Sequence, residues 1–269
     1  VKRLMNKATD FYLTDRRGLL EVIAETVCGI IGRYRALAER AQVELAVNPY
    51  AHPIVPLLLD IRSARDALPD ASLPALSEYP GGEDRARWHI ERGLATFERC
   101  FGFKPEGCWP SEGSISAATL KLFAEARFRW TASGGSVLQN SLKASGGVTG
   151  VSRERRMYRP YRVDKAGDIA CFFRDDGLSD LIGFTYATWH GDDAVNNLVD
   201  HLESIDKACT DDGDYLVPVI LDGENAWEFY PNNGYYFLSA LYTRLASHPR
   251  IRLTTFSDYL HRGGQISTL

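Results

Sequence analysis

At 269 residues, 45% of them apolar, the chain can bury one substantial core, and a single domain over 1–269 is expected. A formal net charge of -4 gives neither nucleic acid nor an anionic membrane an electrostatic reason to bind, so a small neutral or polar ligand is the partner that composition favours. The five cysteines (Cys28, Cys100, Cys108, Cys171 and Cys209) are odd in number and never in CxxC spacing, which indicates neither a disulfide framework nor a zinc knuckle and makes a reducing cytoplasm the default location.

No apolar run approaches the roughly 20 residues that span a bilayer, and the opening VKRLMNKATDF is not a signal peptide. The first residue is Val rather than Met, so the chain is expected to begin inside a longer protein. From Arg16 to Ala41, Leu19, Ile23, Val27, Ile30, Ile31, Tyr34 and Leu37 recur at three- and four-residue steps and predict a long helix with one buried face. Val43 to Val47 reads as a strand, Asn48-Pro49 as a turn, and a helix follows from near Ile54. Asp84 to Phe101 is a second long amphipathic helix, and Gly107 to Trp109 a short strand. Ser114 is the expected N-cap of the helix ISAATLKLFAEA. Arg127 to Ala132 and Asp168 to Phe173 read as strands, with the Gly- and Ser-rich stretch 133–150 between them as a long loop that continues into the charged residues Glu154, Arg155 and Arg156. A helical GLSDLIGF, a helix from Asp192 or Asp193 to Ala208, a strand from Tyr215 to Leu221, a helix from Gly234 to Ala246 and a strand from Ile251 to Thr254 complete the series.

Short strands alternating with longer helices predict βαβ units, and about six in series predict a parallel α/β barrel. Chemistry in such barrels sits just after the strands. Those positions here are Asn48 to His52, Trp109-Pro110-Ser111-Glu112, Arg174-Asp175-Asp176 and Asp222-Gly223-Glu224-Asn225. Glycoside hydrolysis needs two carboxyl groups on opposite sides of one bond, and Glu112 and Asp222 are the natural pair. A separation of about 5 to 5.5 Å between them would mean retention, and about 6.5 to 9.5 Å inversion. The proton donor needs a raised pKa, which Glu224 and Asp175 could supply by like-charge repulsion, with Arg174 pulling the other way. Trp88 and Trp130 read as core, whereas Trp109, Trp189 and Trp227 adjoin the motif loops.

These stretches resemble glycoside hydrolase family 57. The resemblance rests on QVEL at 42–45 with NPYAHP at 48–53, GCWPSEGS at 107–114, RWTA at 129–132, FFRDD at 172–176 with LSDLIGF at 178–184, and VILDGENAWE at 219–228. It implies an incomplete (β/α)7 barrel acting on α-glucans by a retaining, two-carboxylate reaction that needs no cofactor or metal. Glu112 would be the nucleophile and Asp222 the general acid/base, with His52, Glu44, Trp109, Asp175, Glu224 and Trp227 lining or supporting the sugar subsites. The chain departs from the family pattern in three places. It lacks the first motif, His-Gln-Pro, and so one N-terminal strand is expected to be missing. It has Ser133, Gly134 and Gly135 where relatives carry acidic residues, and Asp176 where many read Arg-Asp-His. The last two bear on subsite binding rather than on the catalytic pair.

Two other functions compete. A metal-dependent deacetylase or mannosidase on a similar barrel would need about three protein ligands for its ion, and the six histidines show no HxxxH or HxxH spacing. A glucan-binding chain without turnover need not keep both Glu112 and Asp222. Hydrolysis and glycosyl transfer share one covalent intermediate, so sequence leaves that choice open.

Overall fold

The computed structural model describes residues 1–76, 78–146, 150–209, 213–223 and 227–269. The chain opens with α1 (Lys2–Lys7), α2 (Leu13–Glu39), α3 (Val55–Leu59), α4 (Ala64–Ala67) and α5 (Gly82–Phe101). Then come β1 (Gly107–Cys108), α6 (Ala117–Glu125), β2 (Trp130–Ser133), α7 (Gly135–Ala144), α8 (Arg153–Met157), β3 (Tyr161–Arg162) and β4 (Ala170–Phe173). The series ends with α9 (Asp176–Asp180), α10 (Gly191–Ala208), α11 (Tyr235–Ala246), α12 (Phe256–His261) and β5 (Ser267–Thr268).

The fold is α/β, but the five strands form a mixed sheet in the order β1-β2-β4-β3-β5 rather than a purely parallel one. β1, β2 and β4 run parallel, while β3 runs against β4. The connection 163–169 explains this reversal, being far shorter than the dozen or so residues that a parallel crossover requires. Three expected strands are absent as ladders. Of 43–47 only Val47 bridges Cys108. In 215–221, Pro218 has no N–H to donate, and Asp175 N bonds its carbonyl at 2.8 Å while Ile220 N turns to Ser179 Oγ. In 251–254 the ladder fails at its start, because the amides of Arg250 and Ile251 donate to His248 Nδ1.

β4 is buried on both faces. Ala170 and Phe172 join Trp130, Ala132, Leu216 and Tyr259 on one side, and Cys171 and Phe173 join Leu138, Leu142, Met157 and Tyr161 on the other. The stretch read as a loop therefore contains a helix, α7, because Leu138 and Leu142, four apart, seal the second face. The helix after β1 is capped by Ser116, whose Oγ accepts from Thr119 N, and not by Ser114, whose hydroxyl donates to Ser111 O. α10 and α11 pack together through Val195, Leu198, Val199, Phe237, Leu241 and Leu245.

The long helix α2 forms as its periodicity predicts, but its apolar stripe is not buried. Leu19, Ile23, Val27, Ile30, Ile31 and Tyr34 are exposed, and only the last turns meet α5, where Arg35 donates to Cys100 O. Among the described residues no helix is long and apolar enough to cross a membrane.

Candidate functional site

The carboxyl ends of β1, β2 and β4 and the residues before Asp222 are tied together by hydrogen bonds. After Cys108 the chain turns outward at Trp109, whose amide donates to Val47 O at 2.9 Å and whose carbonyl accepts from Asn48 Nδ2 at 3.1 Å. Two residues later it enters a tight turn in which Ser111 and Gly113 are buried but Glu112 projects outward, its side chain 76% exposed. Glu112 lies in the left-handed region (φ 54°), which costs a non-glycine residue of order 1–3 kcal/mol and persists only where neighbours impose it. The imposing neighbour is β2: Ser133, at its last position, donates from Oγ to Gly113 O at 2.6 Å, and a Cβ on Gly113 would lie 3.3 Å from the Trp109 ring.

His52 meets Glu112 from the 48–53 loop, with Nε2 and Oε1 3.0 Å apart. An ionised Glu112 only accepts, so the ring donates from Nε2. His52 is itself left-handed (φ 58°), as is Ala51 before it (φ 59°). Three non-glycine residues in that region at one site mark a geometry held against local preference. One carboxylate oxygen, Oε1, is thus held by His52.

Ser133 also connects to the other side of the site. Its carbonyl accepts from Arg174 N at 2.9 Å, and Arg174 Nε donates to Ile220 O at 2.8 Å, two residues before Asp222. Arg174 is in turn oriented by Asp176 at 2.9 Å and Asp180 at 2.6 Å. The Glu112 turn, β2, Arg174 and the approach to Asp222 form one chain of bonds. Asp222 is exposed; Glu224 lies outside the described residues.

Two residues expected to line or support the sugar subsites are engaged by partners within the protein. Asp175 is 5% exposed: Oδ1 accepts from Leu178 N at 2.8 Å to cap α9, and Oδ2 accepts from Tyr158 Oη at 2.5 Å. That contact, after burial, raises the Tyr158 hydroxyl well above its ordinary pKa. Asp175 therefore locks the start of α9. Glu44 accepts from Trp130 Nε1 at 2.7 Å and from Ser257 N at 3.1 Å, and also pairs with Ser257 Oγ, so it clamps α12 to β2. Trp109 is half-buried against the Phe172 cluster; Trp227 is half-buried, stacked on Phe237 and seated against Gly234. Trp88, expected in the core, is 52% exposed. Among the described residues no three His, Cys, Asp or Glu side chains are grouped as metal ligands would be.

The model of the family described as glycosyl hydrolase family 57 matches residues 16–267. The chain belongs to glycosyl hydrolase family 57. The fold is shared with a 4-α-glucanotransferase from Thermococcus litoralis (21% identity, TM-score 0.61, 94% of this chain and 34% of that one). It is also shared with a family 57-type branching enzyme from Pyrococcus horikoshii (16% identity, TM-score 0.66, 91% and 50%) and an α-amylase from Thermotoga maritima (14% identity, TM-score 0.60, 94% and 55%). The chain spans between a third and about half the length of these proteins. No curated protein sequence matches it.

In this family 57 chain Gly135, after β2, is a steric requirement, whereas a Cβ on Gly134 would come no nearer than 3.8 Å to Ser136 Oγ. A Cβ on Gly135 would lie 2.6 Å from Met157 Cε, 2.7 Å from Arg174 O and 3.0 Å from Asp176 Oδ2, so a carboxylate-bearing residue there would need the Arg174 strand end to move. The substitution of Asp176 for the more usual residue is part of the same arrangement, since Asp176 holds Arg174. Sequence reasoning missed Ser133 and Arg174 as the link between the two halves. The signal available was their position at the ends of strands expected to be neighbours.

Proposed function

We propose that the chain is the catalytic part of a retaining glycoside hydrolase or transglycosylase acting on α-glucans, built on an incomplete barrel of the family 57 kind, with Glu112 as nucleophile and Asp222 as general acid/base. The observation that carries this reading is Glu112 itself, an outward-pointing carboxylate held in a left-handed turn with one oxygen fixed by His52.

In the first step the free oxygen of Glu112 attacks the anomeric carbon, the glycosidic C–O bond breaks, and Asp222 gives its proton to the departing oxygen. In the second step a water or a sugar hydroxyl attacks the same carbon, Asp222 takes its proton, and Glu112 leaves as a carboxylate. Which acceptor wins depends on how well the site excludes water and holds a second glucan. The reading draws on the activities named for the 4-α-glucanotransferase, the branching enzyme and the α-amylase.

The test is incubation of the chain with maltooligosaccharides and amylose, followed by chromatography of the products, with Glu112→Gln and Asp222→Asn alongside. The expected result is cleavage or disproportionation that both substitutions lower at least a thousandfold, on the order of what loss of an essential group costs. Product sizes then separate hydrolysis from transfer. Turnover that survives Glu112→Gln would reject the assignment.

A further inference from the structure

We propose that Tyr50 and Trp88 form a platform on which an α-glucan chain lies as it leaves the Glu112 side of the site, an inference that rests on the reading above. Both rings stand in the open, Tyr50 41% and Trp88 52% exposed. They meet edge to face, with centroids 5.7 Å apart and planes at 88°, and the His89 and Trp88 rings also lie edge to face, 5.0 Å apart. The apolar face of a pyranose packs on such rings as other apolar surfaces do.

The platform is rigid, which is what a binding surface needs to avoid an ordering cost. Tyr50 N donates to His89 O at 2.9 Å, and the His89 ring bonds Tyr50 O at 2.5 Å through Nδ1. α5 approaches this loop so closely that a Cβ on Gly93 would lie 3.0 Å from Asn48 O and 3.2 Å from Tyr50 N. The loop cannot shift without moving the helix. Alongside, the exposed Arg92 holds its guanidinium 5.8 Å from the Tyr50 ring centroid, where its N–H groups can reach sugar hydroxyls.

Continuity with the catalytic turn identifies the occupant. Tyr50 precedes by two residues His52, which bonds Glu112 at 3.0 Å, and two residues of chain span at most about 7 Å. The two rings therefore lie within a few sugar units of Glu112. A polysaccharide with repeating apolar ring faces and a rim of hydroxyls fits rings flanked by an Arg and a His better than a lipid or an anion does.

The experiment is affinity electrophoresis of the inactive Glu112→Gln chain through gels containing amylose, comparing it with the same chain carrying Trp88→Ala, Trp88→Phe or Tyr50→Ala. Thermal melting checks that each is folded. The expected result is roughly tenfold weaker retardation for Trp88→Ala, in line with loss of an aromatic anchor, and partial recovery with Trp88→Phe. Equal retardation of all four chains would overturn the platform while leaving the catalytic assignment standing. A Glu112→Gln chain that is not retarded at all, from a parent that turns over no α-glucan, would overturn the α-glucan reading and the platform with it. Loss of self-association on Trp88→Ala, with retardation unchanged, would assign the rings to contact between copies instead and overturn the proposal.

Discussion

Two buried serines beside Glu112 should respond differently to the same substitution. Ser133 Oγ satisfies the carbonyl of Gly113, so Ser133→Ala leaves that acceptor unpaired and is expected to cost about 1–3 kcal/mol. Ser111 is wholly buried and its hydroxyl has no partner among the described residues, so Ser111→Ala should be nearly neutral. Urea denaturation of both variants checks the contrast. Glu112→Gly should go further, raising stability by about 1 kcal/mol because glycine relieves the left-handed strain, while abolishing turnover. Under the proposed function, Glu112 would be a residue that destabilises its own turn, as backbone strain at sites kept for chemistry does. At this scale Glu112 and Asp222 could be singled out as candidates, because they sit inside motifs several residues long. The contacts of Glu44 and Asp175 could not be read in the same way. Their roles depend on Trp130, Ser257 and Tyr158, partners that no local pattern reveals.

Among the elements, α5 and α2 present opposite cases. Their periodicity announced both as long helices, yet it could not say which face finds a partner. α5 buries Ala86, Ile90, Gly93 and Phe97, and its first residue packs so tightly that a Cβ on Gly82 would lie 1.7 Å from Leu58 O. Gly82→Ala must therefore push α3 away, with an expected loss of about 1–3 kcal/mol or more and a lower urea midpoint. α2 leaves Leu20, Ile23, Val27 and Ile30 exposed. Its amides before Arg33 should exchange with solvent far faster than those of α10, whose buried face is Ala194, Val195, Leu198 and Val199. Hydrogen exchange read by mass spectrometry decides this, and equal protection of the two helices would mean that the α2 stripe is covered. Strand ends were harder to read than helices. Side-chain chemistry three to five residues long cannot report a Pro218 carbonyl shared with Asp175 or an amide captured by His248.

The alternation of strands and helices made the α/β class readable for the molecule as a whole, whereas the antiparallel β3 followed from a loop length that only matters once β3 and β4 are known to be neighbours. The core so formed makes an alkaline prediction. Burial pushes the hydroxyls of Tyr186, Tyr230 and Tyr259 up to about 12 from an ordinary value near 10. The folded chain keeps these protons to higher pH than the unfolded chain does. Their contribution to stability is thus complete below about pH 10 and is lost as pH rises toward 12. Denaturant midpoints should fall through that window, and tyrosinate absorbance should show a late stage from these three buried hydroxyls. A single early stage would contradict the buried placement.

The central claim, that Glu112 forms the covalent bond to sugar, is tested most directly by trapping. The Asp222→Asn chain would be incubated with an α-maltosyl fluoride, whose leaving group departs without an acid, and then digested and weighed peptide by peptide. The account predicts an added glycosyl mass on the peptide carrying Glu112, because the missing base at 222 slows the second step more than the first. A chain that consumes the fluoride without accumulating that adduct, or that carries the sugar on another residue, would contradict it.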